Sequence, residues 1–255
     1  MEDKSNRIRA SIAPANPGFP PGIAPRLGIL MLETSFPRPL GDLGNPASWG
    51  VPTESIVVAG VGPQEAVQSA ERLRASGLGP AFERAILQLV ERGVAAITTS
   101  CGFLVLLQEE LARSSPVALV SSSLLQLPAL LQDEAAIGVL TISAGRLGDE
   151  HLLCAGVPRA RLRDVIVEGM PQDSEFVRAI LGNRPDADMG AVVDEVVAAA
   201  LRLKARAPQL RTLVLECTNL PPYAQAIRDA TGWRLQSLAD SPALRDALGV
   251  ERLSA

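Results

Sequence analysis

Short apolar runs alternate with amphipathic segments along most of the chain. The apolar runs predict buried strands at 26–32, 55–59, 94–98, 116–123, 136–141, 164–168, 212–216 and 234–238. Helical spacing of apolar positions predicts helices at 63–75, 80–92, 102–113, 146–155, 174–182 and 188–206. Pro221-Pro222 is predicted to open a further helix, and the last one follows Ser241-Pro242. Strand and helix alternate throughout, which predicts an α/β fold with parallel sheets and right-handed crossovers.

We expect two similar lobes, each a parallel sheet flanked by helices, with the active site in the cleft between them. Lobe 1 is predicted to comprise 26–115 together with 221–255, and lobe 2 to comprise 116–220. The segment 1–25 carries mixed charges followed by closely spaced prolines, and it shows no apolar periodicity. It is therefore predicted to be a flexible tail.

A long connection, 33–52, follows the first predicted strand. It contains four prolines and three glycines, and irregular connections of this length are often lids or binding loops. We expect it to cover the cleft at the carboxyl end of the first sheet, with Phe36 and Trp49 forming its apolar underside.

Two cysteines stand at matching places, each directly after an apolar strand. Cys101 ends the run Ala95-Ala-Ile-Thr-Thr-Ser-Cys101, and Cys217 ends the run Thr212-Leu-Val-Leu-Glu-Cys217. Ligands of open α/β sheets bind beyond the carboxyl ends of the strands. A cysteine in such a position is often buried filler, but two in parallel contexts predict a catalytic pair.

Composition limits the class of protein further. The hydrophobic share of 47% suits a substantial core, and the formal charge of −4 without a basic run argues against a nucleic-acid partner. Apolar runs are too short for a membrane helix, and the N-terminus lacks the apolar core of a signal peptide. We expect a cytoplasmic protein with a small-molecule carboxylate substrate and no membrane partner; a homo-oligomer is left open.

Two thiols on opposite walls suit chemistry at an acidic C–H bond. Inverting the α-carbon of an amino acid needs one base to remove a proton and one acid on the other face to return it. A position just before a helix N-terminus favours the thiolate. Neither a metal nor an organic cofactor is needed for this reaction.

The motifs around both cysteines resemble the aspartate/glutamate racemase superfamily over most of 26–253. They are Thr98-Thr-Ser-Cys101-Gly-Phe, the strand Ile137-Gly-Val-Leu-Thr141 that leads into a helix, and Leu215-Glu-Cys217-Thr-Asn-Leu-Pro221. The resemblance implies two α/β lobes, cofactor-independent catalysis and one catalytic cysteine from each lobe. It predicts an isomerase that racemises or epimerises a small amino acid or derivative.

Relatives within that superfamily include hydantoin racemases, maleate cis-trans isomerases and arylmalonate decarboxylases. A cysteine-dependent decarboxylase or a double-bond isomerase is therefore an alternative on the same scaffold. A protein that binds small carboxylates without turnover is a third possibility, because fold alone does not fix function.

Small polar residues near the cysteines are predicted to bind the substrate carboxylate, whose charge grows as a carbanion forms. The predicted substrate-binding residues are Glu33, Thr99, Ser100, Gly102, Ser122, Thr141, Thr218 and Asn219. Glu33 and Glu216 each follow an apolar strand, and each could orient an ammonium group or tune a thiol. Glu216 is the less favoured of the two, because strand neighbours face opposite sides and Glu216 is therefore expected to point away from Cys217.

The remaining chemistry-bearing residues have simpler interpretations. Cys154 lies in a helical stretch beside two leucines and is predicted to pack in the core. His151, the single histidine of the sequence, is predicted to lie on the solvated face of the same helix. One histidine and scattered cysteines lack the spacing of metal ligands, so no metal site is predicted.

Overall fold

The structure is a computed structural model that describes residues 24–68 and 70–253. Within these residues it contains two four-stranded parallel sheets. The first has the order β2-β1-β3-β4, with β1 Leu27–Leu32, β2 Thr53–Val58, β3 Ala96–Thr99 and β4 Ala118–Val120. The second has the order β6-β5-β7-β8, with β5 Ile137–Thr141, β6 Val165–Gly169, β7 Thr212–Leu215 and β8 Arg234–Gln236. The predicted α/β fold of two lobes is confirmed.

The α-helices lie between the strands and flank both sheets. They are α1 Pro63–Ala66, α2 Ala70–Ala75, α3 Gly79–Glu91, α4 Gln108–Arg113, α5 Leu127–Asp133, α6 Asp149–Cys154, α7 Glu175–Leu181, α8 Val193–Arg206, α9 Ala224–Thr231 and α10 Pro242–Leu248. In the part of the chain that the structure describes, none is both long and apolar enough to cross a membrane.

The strands are apolar on both faces because each sheet is covered on both sides. Along β1, Leu30 and Leu32 join the larger core cluster, whereas Leu27, Ile29 and Met31 pack into a second cluster with α10. This alternation follows from side chains that point to opposite faces of a strand. Buried parallel strands therefore read as continuous apolar runs, as β1 does.

The boundary between the lobes differs from the predicted one at two strands. β4 pairs with β3 in the first sheet, and β8 pairs with β7 in the second. After β8, α10 returns to the first lobe, where it contacts β3 and β4. Strand pairing, which no local pattern specifies, decides these memberships. Apart from its last two residues, the predicted tail 1–25 lies outside the described residues.

Two predicted helices are broken where the chain approaches the cleft. After Cys101 the chain forms a 3-10 helix, Gly102–Leu107, before α4 begins. All six of its residues are buried, so this segment has no solvent face and no amphipathic period. The predicted helix 63–75 is divided into α1 and α2 because Val67 leaves the helical conformation.

Candidate active site

One cleft of about 350 Å³, including its open mouth, lies at the carboxyl ends of β1, β3 and β7. β1 and β3 are neighbours in the first sheet, whereas β7 belongs to the second, so the packing of the two lobes brings the three ends together. Its walls are formed by Leu32, Thr34, Phe36, Arg38, Pro63, Val67, Ser100, Cys101, Gly102, Phe103, Ile142, Ile180, Glu216, Cys217, Thr218 and Asn219. Segments of both lobes therefore share one cavity.

Cys101 and Cys217 both line this cavity and are not joined by a disulfide. Burial, with a further contribution from the charge of Glu216, raises the pKa of Cys101 to about 12. The same two causes raise the pKa of Cys217 well above its ordinary value. Hydrogen bonds from the main chain of Phe103 and Leu104 oppose the rise at Cys101. Burial thus favours the thiol form of both cysteines and opposes the preference for the thiolate that a position before a helix N-terminus gives.

A buried polar chain holds Cys217 in place. The Cys217 thiol donates to Asn219 Oδ1 at 3.4 Å, and Asn219 Nδ2 donates to Asp42 Oδ2 at 2.7 Å. The other Asp42 oxygen accepts a hydrogen bond from Arg38 at 2.7 Å in an ion pair that is almost fully buried. This chain fixes the rotamer of Asn219 and ties the loop 33–52 to the end of β7.

Glu216 also lines the cavity and is 1% exposed. Its Oε2 accepts a hydrogen bond of 2.6 Å from Thr141, whereas Oε1 is buried with no hydrogen-bond partner among the described residues. Burial raises the pKa of Glu216 to about 7, although the Thr141 hydrogen bond acts in the opposite direction. The expectation that Glu216 points away is wrong, because β7 ends at Leu215 and the period of two no longer applies beyond it.

The two walls come into close contact at Gly102. A Cβ atom at this position would lie 2.3 Å from the carbonyl oxygen of Glu216 and 2.4 Å from its Oε1. Any larger residue would therefore collide with the main chain at the end of β7. Glycine at this position lets the Cys101 wall and the Glu216 carboxyl group meet.

Solved structures with the same architecture include unliganded arylmalonate decarboxylase, with a TM-score of 0.52, 12% identity and coverage of 89% of this chain and 92% of that chain. A glutamate racemase from Bacillus anthracis matches with a TM-score of 0.53, 16% identity and coverage of 88% and 80%. The chain has the fold of these two enzymes. The predicted resemblance is thereby confirmed at the level of the fold.

The curated proteins that are similar to this chain in sequence are named for an activity other than racemisation. A dimethylsulfoniopropionate lyase from Durusdinium sp. clade D is 29% identical over 229 residues, which are 84% of this chain and 73% of that protein. Dimethylsulfoniopropionate lyases 5 and 3 from Emiliania huxleyi are 35% and 36% identical over 81% of this chain. The chain spans only 42% and 55% of those two proteins. No model of a known protein family matches the chain.

These relatives overturn the predicted isomerase class. They are lyases by name, so amino-acid racemisation is not the activity that sequence similarity supports. The similarity to solved racemases and decarboxylases shows the fold and not the reaction. The alternative of a cysteine-dependent lyase agrees better with the relatives.

The structure separates the predicted substrate-binding residues into two groups. Ser100, Gly102, Thr218 and Asn219 line the cavity, whereas Glu33, Thr99, Ser122 and Thr141 lie outside its lining. Glu33 is exposed, and its carboxylate accepts a hydrogen bond from the Gly60 N–H at 2.9 Å. That contact joins the end of β1 to the turn after β2.

Most of the predicted hydroxyl donors are used inside the protein. Thr99 donates to Ser121 O at 2.8 Å and Thr218 to Ser100 O at 2.6 Å, while Thr141 donates to Glu216. The Ser122 hydroxyl caps the following 3-10 helix by accepting the Leu124 N–H. These groups build the walls rather than present hydrogen atoms to a ligand.

The loop 33–52 contributes more charge to the site than its sequence suggests. Arg38 lines the cavity, stacks over the Phe36 ring at 4.5 Å and pairs with the buried Asp42. Sequence reasoning missed both charged residues. The one signal for their ion pair in the sequence is their spacing of four positions within a Pro- and Gly-rich loop.

Trp49 does not form the apolar underside of the loop 33–52. It packs in the second core cluster and donates to Leu43 O.

The other two chemistry-bearing residues flank the site without lining it. His151 is 1% exposed and lies edge-on to the Phe103 ring at 5.0 Å, so its predicted solvated position is wrong. Its Nδ1 accepts the Gly148 N–H at the start of α6. Cys154 is partly buried against the main core, as predicted. Across 24–68 and 70–253 no group of three or more His, Cys, Asp and Glu side chains is placed to hold a metal ion.

Proposed function

We propose that this protein is a cysteine-dependent lyase that releases a thioether from a β-sulfonium carboxylate of the dimethylsulfoniopropionate class. The observation that carries the proposal is the joint presence of two buried thiols in one cavity and of curated relatives named as lyases of this substrate.

The elimination needs one base. A thiolate removes a proton from the carbon next to the carboxylate, and the electron pair of that C–H bond forms the new carbon–carbon double bond. The bond from the β-carbon to sulfur breaks, and its electron pair leaves with dimethyl sulfide. The products are acrylate, dimethyl sulfide and a proton held by the cysteine until solvent removes it.

A cationic substrate suits the electrostatics of the site. Both thiols have a raised pKa because they are buried and lie near the Glu216 carboxyl group. A sulfonium ion close to a thiol lowers its pKa, since an opposite charge favours the ionised form. A second carboxylate on the substrate, as in a malonate, would raise the pKa further. The substrate thus supplies the positive charge that the thiolate needs.

The apolar walls also favour a sulfonium over an ammonium group. Leu32, Val67, Ile142 and Ile180 surround the cavity together with Phe103. A dimethylsulfonium group has methyl groups that pack against such side chains and has no N–H donors to satisfy. A buried ammonium group would instead need several acceptors.

The test is incubation of the purified protein with dimethylsulfoniopropionate, with dimethyl sulfide measured in the headspace and acrylate measured by NMR. We expect equimolar products. Parallel incubations with an arylmalonate and with amino acids in deuterated water report decarboxylation and α-proton exchange. Carbon dioxide release or α-exchange without dimethyl sulfide would refute the lyase assignment.

A further inference from the structure

We propose that Glu216 is a further catalytic residue, a neutral carboxylic acid whose Oε1–H donates a hydrogen bond to the substrate carboxylate. The proposal rests on the proposed function for the identity of that ligand. It concerns a group that the sequence motifs place beside the second cysteine but to which they assign no role.

The hydrogen-bond pattern places the acid proton on Oε1. The Thr141 hydroxyl donates to Oε2, so that oxygen already acts as an acceptor. Oε1 is the oxygen without a partner among the described residues, and Glu216 is 1% exposed and lines the cavity. A buried polar atom that lacks a partner costs about 1–3 kcal/mol. A ligand in the cavity is the natural partner of Oε1.

The surroundings favour the neutral form of Glu216. No ion pair involves it within the described part of the chain, and Arg38, the charged base in the cavity lining, is already paired with Asp42. Burial raises the pKa of Glu216 to about 7. A neutral acid can approach an anion, whereas a carboxylate would repel it, and a buried acid of this kind can donate a hydrogen bond at neutral pH.

The neutral form also makes the thiol chemistry easier. The charge of Glu216 is a cause of the raised pKa at both Cys101 and Cys217. Protonation of Glu216 removes that repulsion at the moment when a thiolate must form. As the α-proton leaves, negative charge moves onto the substrate carboxylate, and a donor held against it stabilises that charge.

The structure contains few competing donors for that carboxylate. The hydroxyls of Thr141 and Thr218 are used within the walls, and Asn219 Nδ2 donates to Asp42. Ser100 Oγ accepts the Leu32 N–H, which leaves its own hydrogen available to the cavity. Glu216 and Ser100, which line the same cavity, are thus the two side-chain donors of the proposed carboxylate subsite.

Propionate tests this subsite without turnover, because it carries the carboxylate and lacks a leaving group. Its binding to the wild-type protein is measured by calorimetry at about pH 6 and about pH 8, in two buffers that differ in ionisation enthalpy. Since the pKa of Glu216 is about 7, we expect almost no proton uptake at the lower pH and about one proton at the higher. Affinity should fall roughly tenfold per pH unit above about 7.

Substitutions identify the group that takes up the proton. Glu216→Gln keeps an acceptor for Thr141 and a donor on the other atom, so it should bind propionate within about threefold of the wild type at pH 6, without proton uptake. Glu216→Ala should lose about tenfold or more, which corresponds to one lost hydrogen bond to an anion. Thr141→Val removes a hydrogen bond that stabilises the charged form, so proton uptake should begin at higher pH. Glu109→Gln, an exposed carboxylate on α4, is the matched control.

Several results would overturn the proposal. They are no measurable propionate binding at pH 6, no proton uptake in the wild type, or an alanine variant that binds as tightly as the wild type. Tighter binding by Glu216→Gln would mean that Glu216 faces the ligand as an anion. Because no dimethyl sulfide is measured, propionate binding with proton uptake would support the subsite even if the lyase assay failed.

Discussion

Replacing Gly102 by alanine tests the close contact between the two walls of the site. The added Cβ would lie 2.3 Å from the Glu216 carbonyl oxygen, 2.4 Å from its Oε1 and 2.9 Å from its Cδ. Ordinary contacts of a Cβ atom begin near 3.4 Å, so the atoms must separate by about 1 Å. A main-chain carbonyl at the end of a buried strand cannot move that far without displacing Cys217.

The expected cost is that of overpacking a core, about 1–3 kcal/mol of unfolding free energy. For a chain of this size, that change corresponds to a fall in melting temperature of roughly 2–12 °C. Catalytic activity should fall more steeply than stability, because the strain lies between Cys101 and Glu216. Thermal unfolding and dimethyl sulfide release from the same preparation give the two quantities.

Gly145→Ala is the matched control for this substitution. A Cβ at Gly145 would meet nothing within 4 Å, so this variant shares the entropic effect of replacing a glycine but not the collision. Equal melting temperatures and equal activities for the two variants would show that the walls do not meet at Gly102 as described.

Three further predictions concern the thiols, the buried ion pair and the pH dependence of stability. Cys101→Ser or Cys217→Ser should lower the rate of dimethyl sulfide release by a factor of about 1,000 or more in at least one of the two variants, because a hydroxyl ionises far less readily than a thiol. Full activity in both variants would exclude a cysteine base. Asp42→Asn should lower the unfolding free energy, measured in urea, by about 3–5 kcal/mol, because it leaves Arg38 buried and unpaired. The control Glu54→Gln breaks a more exposed ion pair and should lower the unfolding free energy by less than about 1 kcal/mol. Burial raises the pKa of Glu216 from 4.5 to about 7, so its contribution to stability is present at low pH and is lost as pH rises through that interval. The unfolding free energy of the wild type should therefore fall by about 3 kcal/mol relative to Glu216→Gln between about pH 4.5 and 7.5. Parallel pH profiles of the two proteins would contradict the buried acid.

The amino-acid sequence by itself determined the alternation of strands and helices. Buried strands such as β1 and β5 are continuous apolar runs, and that pattern depends only on local composition. It also determined that each cysteine follows a strand, where ligands of parallel sheets bind. The two-lobe fold and the catalytic candidates followed from those two properties. The meeting of the ends of β3 and β7, which belong to different sheets, was decided by the packing of the lobes.

Tertiary structure alone decided to which lobe β4 and β8 belong, because strand pairing joins residues that are distant in the sequence. It also decided the electrostatics of the site. Asp42 and Asn219 are 177 positions apart, yet they share a hydrogen bond, and the protonation of Glu216 depends on burial by segments from both lobes. A local sequence pattern shows which residues are polar, but it does not show which of them are buried next to one another. Their desolvation sets the pKa values on which the chemistry depends.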